Sequence, residues 1–157
     1  MKKLKLYLET SVWNFYFADD APEKKEATMQ FFEQVERGEY EIFISDMVFR
    51  EIDRATEEKR TALTELIVKY QPKELEMTDE VLKLANIYLH EVALPERAVD
   101  DSRHVALATI YEMDALISWN LKHLANLKRM EKINGVNLIE GYLKKLELIT
   151  PMEVSNA

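Results

Sequence analysis

The sequence predicts an α/β fold built around a parallel sheet of about four to five strands, and two observations lead to this. Short apolar runs alternate along the chain with longer segments in which apolar residues recur at the helical period. Acidic or amide side chains directly follow some of the predicted strands, at the end where parallel sheets bind ligands. With 157 residues, the chain is expected to form one domain over residues 1–157, large enough for a core of its own.

The predicted strands are short and bounded by polar residues. The second strand shows the alternation of a half-buried strand, through Tyr40, Ile42 and Ile44. Leu75 and Met77 are interpreted as a further short strand. The second strand is predicted at residues 39–44, and the remaining strands at 4–8, 114–118 and 146–149.

The predicted helices begin at capping residues and end at glycine or before proline. The expected start signals are Pro22 after Asp20, Ser45, Thr78, Asp101 and Thr150 with Pro151. One helix is expected to end before Gly38, another covers 59–70, and apolar residues at every third position predict a long helix over 122–140.

Composition restricts the function classes. The chain has no cysteine, which excludes disulfides and thiolate metal sites and fits a reducing cytoplasm. Its 21 basic and 29 acidic residues give a net charge of −8, which argues against sequence-blind coating of nucleic acid. No apolar run approaches 18 residues, so no membrane association is expected.

The candidate site consists of four oxygen-bearing side chains at predicted strand ends and helix starts. Glu9 ends the first apolar run, Glu51 lies in the helix after the second strand, Asp101 opens a later helix and Asn120 closes the run 115–120. We expect them to converge on one edge of the sheet. Clustered oxygen ligands favour Mg²⁺ or Mn²⁺.

Four motifs give the chain a resemblance to the PIN-domain family, in particular to its VapC-like branch with a Trp-Asn-x-x-His variant. They are Leu-Tyr-Leu-Glu-Thr-Ser at 6–11, Asp-Ser-Arg-His-Val-Ala-Leu-Ala at 101–108, Leu-Ile-Ser-Trp-Asn-Leu-Lys-His-Leu at 116–124 and Ile-Thr-Pro-Met-Glu at 149–153. The resemblance implies three α/β/α layers, an acidic pocket for Mg²⁺ or Mn²⁺ and hydrolysis of RNA. It also implies a cytoplasmic toxin that pairs with a small antitoxin protein and forms a homodimer.

By this resemblance Glu9, Glu51 and Asp101 are metal ligands, and these three with Asn120 form the catalytic set. Two positions depart from the family pattern, which has Asp at both. Glu9 is one methylene longer, and Asn120 offers a carbonyl or an orienting hydrogen bond but no charge.

The expected chemistry explains the need for acids. Hydrolysis of a phosphodiester places negative charge on the attacking and the leaving oxygen, and bound metal ions offset that charge and acidify a water molecule. Carboxylates supply the hard ligands. Crowded carboxylates without a metal repel each other, so at least one is expected to have a raised pKa.

Each candidate also has a simpler interpretation. Glu51 stands in a charge-rich helix, where a solvated acid is common. Asp101 fits an acid favoured by the helix dipole, and Asp100 competes with it for either role. His104 shares the helix face of Asp101 and is interpreted as a packed, hydrogen-bonded residue rather than a ligand.

The candidate RNA contacts are polar or basic residues near the motifs: Thr10, Ser11, Arg97, Arg103 and Lys122. The alternatives are that Thr10 and Ser11 cap the next helix and that the cations only solubilise the surface. Trp13 and Trp119 are assigned to the core or the pocket wall.

Three other functions are alternatives to a metal-dependent ribonuclease. A catalytically idle PIN-fold module that binds RNA or protein is favoured by the neutral Asn120 and the longer Glu9. A receiver-like signalling domain or a phosphohydrolase with an aspartate nucleophile needs acids after the first strand, where Thr10 and Ser11 stand instead.

Overall fold

The computed structural model describes residues 2–92, 98–120 and 127–155, and its centre is a five-stranded, wholly parallel sheet in the order β3-β2-β1-β4-β5. The strands are β1 (Leu4–Leu8), β2 (Tyr40–Ser45), β3 (Lys73–Leu75), β4 (Ala115–Ile117) and β5 (Glu147–Ile149). The prediction of a parallel α/β sheet is therefore confirmed. Met77 lies beyond β3, so its assignment to that strand was wrong.

The order of the strands creates a switch point next to β1. From central β1 the chain builds β2 and β3 on one side, and then crosses over to build β4 and β5 on the other. The neighbours β1 and β4 are in register, with Leu8 opposite Ile117, and Glu9 N donates to Ile117 O at 3.1 Å. Parallel sheets bind ligands at such a point, beyond the carboxyl ends of the strands.

Eight helices connect the strands within the described ranges. They are α1 (Thr10–Phe15), α2 (Pro22–Glu36), α3 (Asp46–Ile52), α4 (Glu57–Tyr70), α5 (Asp79–Glu91), α6 (Val99–Ile110), α7 (Leu127–Ile139) and α8 (Pro151–Ser155). Helix α1 was not predicted. The helix predicted over 122–140 is present as α7, and its part at 122–126 lies outside the described residues.

The helix caps were predicted with mixed success. Thr78 caps α5 by accepting from Val81 N at 3.3 Å. Thr150 and Glu153 form a reciprocal capping box at α8, with contacts of 3.2 and 3.3 Å. Ser45 precedes α3 but makes no side-chain cap, which corrects the prediction. Its hydroxyl lies 2.6 Å from the Tyr7 hydroxyl instead, so a contact across the sheet replaces the local one.

Alternate residues of the strands face two separate cores. Leu6, Leu8 and Ile117 belong to the core shared with α1, α2, α3, α4 and α8. Tyr7 and Leu116 belong to the other, shared with α5, α6 and α7. This period of two gives three layers, helices, sheet and helices, as the resemblance implied.

Within the described ranges, no helix combines the length and the apolar character that crossing a membrane requires.

Asp114, directly before β4, links β1 to the segment that precedes β5. Its carboxylate accepts from Lys5 N at 2.8 Å and pairs with Lys144 at 2.9 Å. Partial burial opposes ionisation, but these contacts outweigh it and lower the pKa of Asp114. Because the folded-state pKa lies below the unfolded value, this stabilisation is fully present above pH about 4 and is lost as the pH falls through the folded pKa.

Asp114→Asn is therefore expected to lower the free energy of unfolding by about 1 kcal/mol at pH 7, and the loss should shrink as the pH falls below about 4. Urea titrations at pH 7 and at a pH below about 4 measure the free energy of unfolding of each protein. Glu147→Gln, which breaks the exposed pair with Lys145, is the control and should cost less than about 0.5 kcal/mol. An equal loss for Asp114→Asn at both pH values would contradict the charge argument.

Candidate functional site

Glu9 is a buried carboxylate at the end of the central strand. It is 4% exposed, and its Oε1 accepts from Ser11 N at 2.6 Å, which makes Glu9 the N-cap of α1. Burial raises the pKa of Glu9. The charge of His104 and the hydrogen bonds from Ser11 oppose this rise, whereas the charge of Glu51 adds to it. The pKa is raised overall. An acid is thus held at the switch point although its charged form is destabilised there.

A chain of buried hydrogen bonds leads from the sheet to Glu51. The Tyr7 hydroxyl lies 2.6 Å from Ser45 Oγ and 2.6 Å from His104 Nδ1. On the other side of the ring, His104 Nε2 lies 2.6 Å from Glu51 Oε1. The His104 side chain is fully buried, whereas that of Glu51 is 23% exposed. The imidazole therefore fixes one oxygen of an otherwise accessible carboxylate.

The electrostatics of His104 show that three acids act on one group. Burial by itself lowers its pKa, but the hydrogen bond to Glu51 and the negative charges of Glu9, Glu51 and Asp101 outweigh burial, and the pKa is raised. Glu9 comes from the end of β1, Glu51 from α3 and Asp101 from α6. The interpretation of His104 as a packed, hydrogen-bonded residue is confirmed.

Asp101 and Asn120 lie next to each other. Asn120 Nδ2 is 3.4 Å from Asp101 Oδ1 and 3.5 Å from Oδ2, and both distances are long for a hydrogen bond. Asp100, the competing acid, pairs with Arg54 at 3.6 Å. The two consecutive acids thus have different partners, and Asp101 is the one whose charge reaches His104.

The residues after β4 bind helices from the first part of the chain. Trp119 N donates to Ser11 Oγ at 2.8 Å, and the Trp119 indole donates to Thr28 Oγ1 at 2.8 Å. Asn120 N donates to Ser118 Oγ at 2.9 Å. Asn120 is therefore carried by a segment fixed to both α1 and α2.

The candidate RNA contacts are placed differently from one another. Thr10 is buried, and its hydroxyl has no hydrogen-bond partner among the described residues. The Ser11 hydroxyl holds Trp119. Arg103 is partly exposed on α6. Arg97 and Lys122 lie outside the described residues, and RNA contact by any of the five stays a prediction.

Trp13 and Trp119 are buried, which confirms their assignment to the interior.

Two residues were not predicted to support this cluster: Tyr7, which contacts His104, and Ser45, which contacts the Tyr7 hydroxyl. A signal was present at Tyr7, because a tyrosine in a buried strand needs a partner for its hydroxyl. Nothing local shows that the partner stands 97 positions away.

The carboxylates do not form a closed set of ligands as they stand. Within residues 2–92, 98–120 and 127–155, no three His, Asp or Glu side chains lie close enough together to hold a metal ion. The donors are hard oxygens on side chains of adjacent elements, the type that Mg²⁺ and Mn²⁺ prefer. The residue types fit such an ion, and holding one requires the side chains to move closer.

A cavity of about 450 Å³ elsewhere shares no residue with this cluster. It lies along α7 and the segment that follows it, between Met130, Leu138 and Leu143. Its lining lacks Glu9, Glu51, Asp101 and Asn120, so the acids and not this cavity form the candidate site.

Comparison with solved structures finds a protein of similar architecture. The chain is similar to a chain of VapBC2 from Rickettsia felis, solved bound to a DNA fragment from their promoter, with a TM-score of 0.60. The match covers 94% of this chain and 98% of that chain at 14% identity. The fold is thus PIN-like, as the motifs implied. No protein-family model matches the sequence, and no curated protein matches it.

Tyr7→Phe tests the buried chain. The change removes one hydroxyl and leaves Ser45 and His104 without their shared partner, so the free energy of unfolding should fall by about 1–3 kcal/mol. Urea denaturation measures it. Tyr142→Phe is the matched control, since it removes an exposed hydrogen bond to Glu80 and should change stability by less than about 0.5 kcal/mol. Equal losses in the two variants would show that the buried chain contributes nothing special.

Proposed function

We propose that this protein is a metal-dependent endoribonuclease that hydrolyses RNA phosphodiester bonds, with Glu9, Glu51 and Asp101 as ligands of Mg²⁺ or Mn²⁺ and Asn120 assisting. The observation that carries the proposal is the convergence of three carboxylates from β1, α3 and α6 on His104 at the switch point of the sheet. Because like charges repel, gathering acids in a partly buried place costs stability unless a cation offsets them.

The three acids have different partners. Glu9 is held by the backbone of α1, and Glu51 has one oxygen on His104, which leaves Oε2 for a cation. Asp101 faces the amide of Asn120, whose Nδ2 lies 3.4 and 3.5 Å from its two oxygens. A bound Mg²⁺ or Mn²⁺ supplies charge neutralisation at the phosphodiester and a more acidic water molecule.

The partners follow from the same likeness. Similarity to a chain of VapBC2, together with the motifs, supports a toxin that is neutralised by a small antitoxin protein. We include both in the proposal, with a cytoplasmic location and a homodimer as the resemblance implied. The amide of Asn120 beside Asp101, where the family pattern has a fourth acid, favours a second candidate, an idle PIN-fold module that binds RNA or protein.

Cleavage of a random-sequence RNA pool with Mn²⁺ or Mg²⁺ tests the proposal. A pool is needed because one substrate can miss a narrow specificity. Asp101→Asn should reduce cleavage at least about a hundredfold, since it removes a ligand charge while keeping the shape of the side chain. EDTA should abolish cleavage by the wild-type protein.

Asp100→Asn is the matched control, because it neutralises the adjacent acid, which pairs with exposed Arg54, and it should cleave within about threefold of wild type. Equal activity of Asp101→Asn and wild type would refute the assignment of Asp101. Absence of metal-dependent cleavage in the wild type would favour the idle module.

A metal titration separates binding from catalysis. Saturating Mn²⁺ should raise the melting temperature of the wild-type protein by a few degrees, since a ligand that binds only the folded state stabilises it. Glu9→Gln keeps an acceptor for Ser11 N but loses the charge, so most of this shift should disappear. The same shift in both proteins would remove Glu9 from the ligand set. Glu153→Gln, at the α8 capping box, is the control.

A further inference from the structure

We propose that Lys24 binds a backbone phosphate of single-stranded RNA beside the acidic site, from a position above the rings of Phe15 and Trp119. The inference rests on the proposed function, because it names a substrate contact of the same site. Lys24 lies in the first turn of α2, outside the four sequence motifs.

Two aromatic rings lie close to the ammonium group of Lys24. Lys24 Nζ lies 5.3 Å from the centroid of the Phe15 ring and 5.7 Å from that of Trp119. The two rings are themselves in contact, with centroids 5.8 Å apart and planes at 46°. Attraction to aromatic faces holds a cation in place without using a carboxylate. The group therefore keeps its hydrogen-bond donors available for an anion.

Hydrogen bonds connect this lysine to the segment that carries Asn120. The Trp119 indole donates to Thr28 Oγ1 at 2.8 Å, and the same hydroxyl donates to Lys24 O at 2.7 Å. Trp119 N is held by Ser11 Oγ, two residues after Glu9. These contacts link Lys24 through Trp119 to Asn120, and through Ser11 to the turn that carries Glu9.

The charges around Lys24 point to an anionic ligand. Among the residues that the structure describes, no carboxylate lies within ion-pair distance of Lys24, whereas the next residue, Lys25, pairs with Asp19 at 2.5 Å. A positive charge in the first turn interacts unfavourably with the helix dipole, so the charge of Lys24 does not stabilise α2. The positive end of that dipole adds to its field. A phosphate approaching three carboxylates needs such a cation, most of all in a chain of net charge −8.

Lys24→Gln and Lys25→Gln form a matched pair of variants, since each removes one charge from the same helical turn. Binding of a fluorescein-labelled random-sequence single-stranded RNA is followed by anisotropy in EDTA over a series of KCl concentrations. Lys24→Gln should weaken binding roughly fivefold and reduce the slope of log K against log [KCl] by about 0.7. Lys25→Gln should stay within about twofold of wild type with an unchanged slope. Lys24→Arg should retain the wild-type slope.

Kinetics with Mn²⁺ give a second measurement on the same variants. Lys24→Gln should raise KM with kcat within about twofold of wild type, since the contact is made in the ground state as well as in the transition state. Urea denaturation and circular dichroism establish that each variant folds. If Lys24→Gln and Lys25→Gln share one salt slope, or if the wild type does not bind the RNA, the assignment of Lys24 is overturned.

These experiments distinguish a failure of the nuclease proposal from a failure of the phosphate contact at Lys24. Metal-dependent cleavage with no Lys24 effect on the salt slope would leave the nuclease intact and overturn the phosphate contact. A Lys24 effect on binding without cleavage would support the contact and overturn the nuclease.

Discussion

The imidazole of His104 is the group on which the buried core and the candidate site both depend. Nδ1 faces the hydroxyl of Tyr7 in the central strand, and Nε2 faces Glu51 on α3, both at 2.6 Å. Because both ring nitrogens have partners, α6 cannot rotate or slide along the sheet without breaking a buried hydrogen bond, which costs about 1–3 kcal/mol. Burial lowers the pKa of this ring, but the hydrogen bond to Glu51 and the charges of three nearby carboxylates outweigh burial and raise it. One side chain therefore links the central strand, α3 and α6 at the candidate site.

Most of the sheet was predictable because its signal is local. The strands are short apolar runs, and residues that alternate along them face two cores, so a window of a few residues contains the information. Helix α1 was missed because six residues are too few for a helical period to show, and because Glu9, which is not among the preferred caps, begins it. The cap predicted at Ser45 was wrong because its hydroxyl has a partner in Tyr7, 38 positions away. Tertiary contacts of this kind leave no mark in the local sequence.

The four candidate residues were chosen by their position in the sequence. Glu9 and Asn120 follow strands, Asp101 lies in the first turn of α6, and Glu51 lies near the end of α3. The sequence could not show how each one is held. Glu9 is fixed by the backbone of α1, Glu51 by His104 and Asp101 by long contacts to an amide. These partners come from other parts of the chain, and the strength of each contact depends on distances of a few tenths of an ångström. Hence the positions of the candidate residues could be chosen from the sequence, but the contacts that hold them could not.

Three consecutive residues after β4 connect the candidate site to distant parts of the chain. Ser118 N donates to Ile149 O at 3.0 Å in β5, Trp119 binds Ser11 on α1 and Thr28 on α2, and Asn120 contacts Asp101 on α6. The first two of these helices precede the segment by about a hundred residues, and closing such loops is entropically costly until β4 pairs with β1. Glu9, in contrast, caps α1 through the backbone of its own turn. The placement of Asn120 beside Asp101 therefore depends on long-range contacts, whereas the placement of Glu9 on α1 is local.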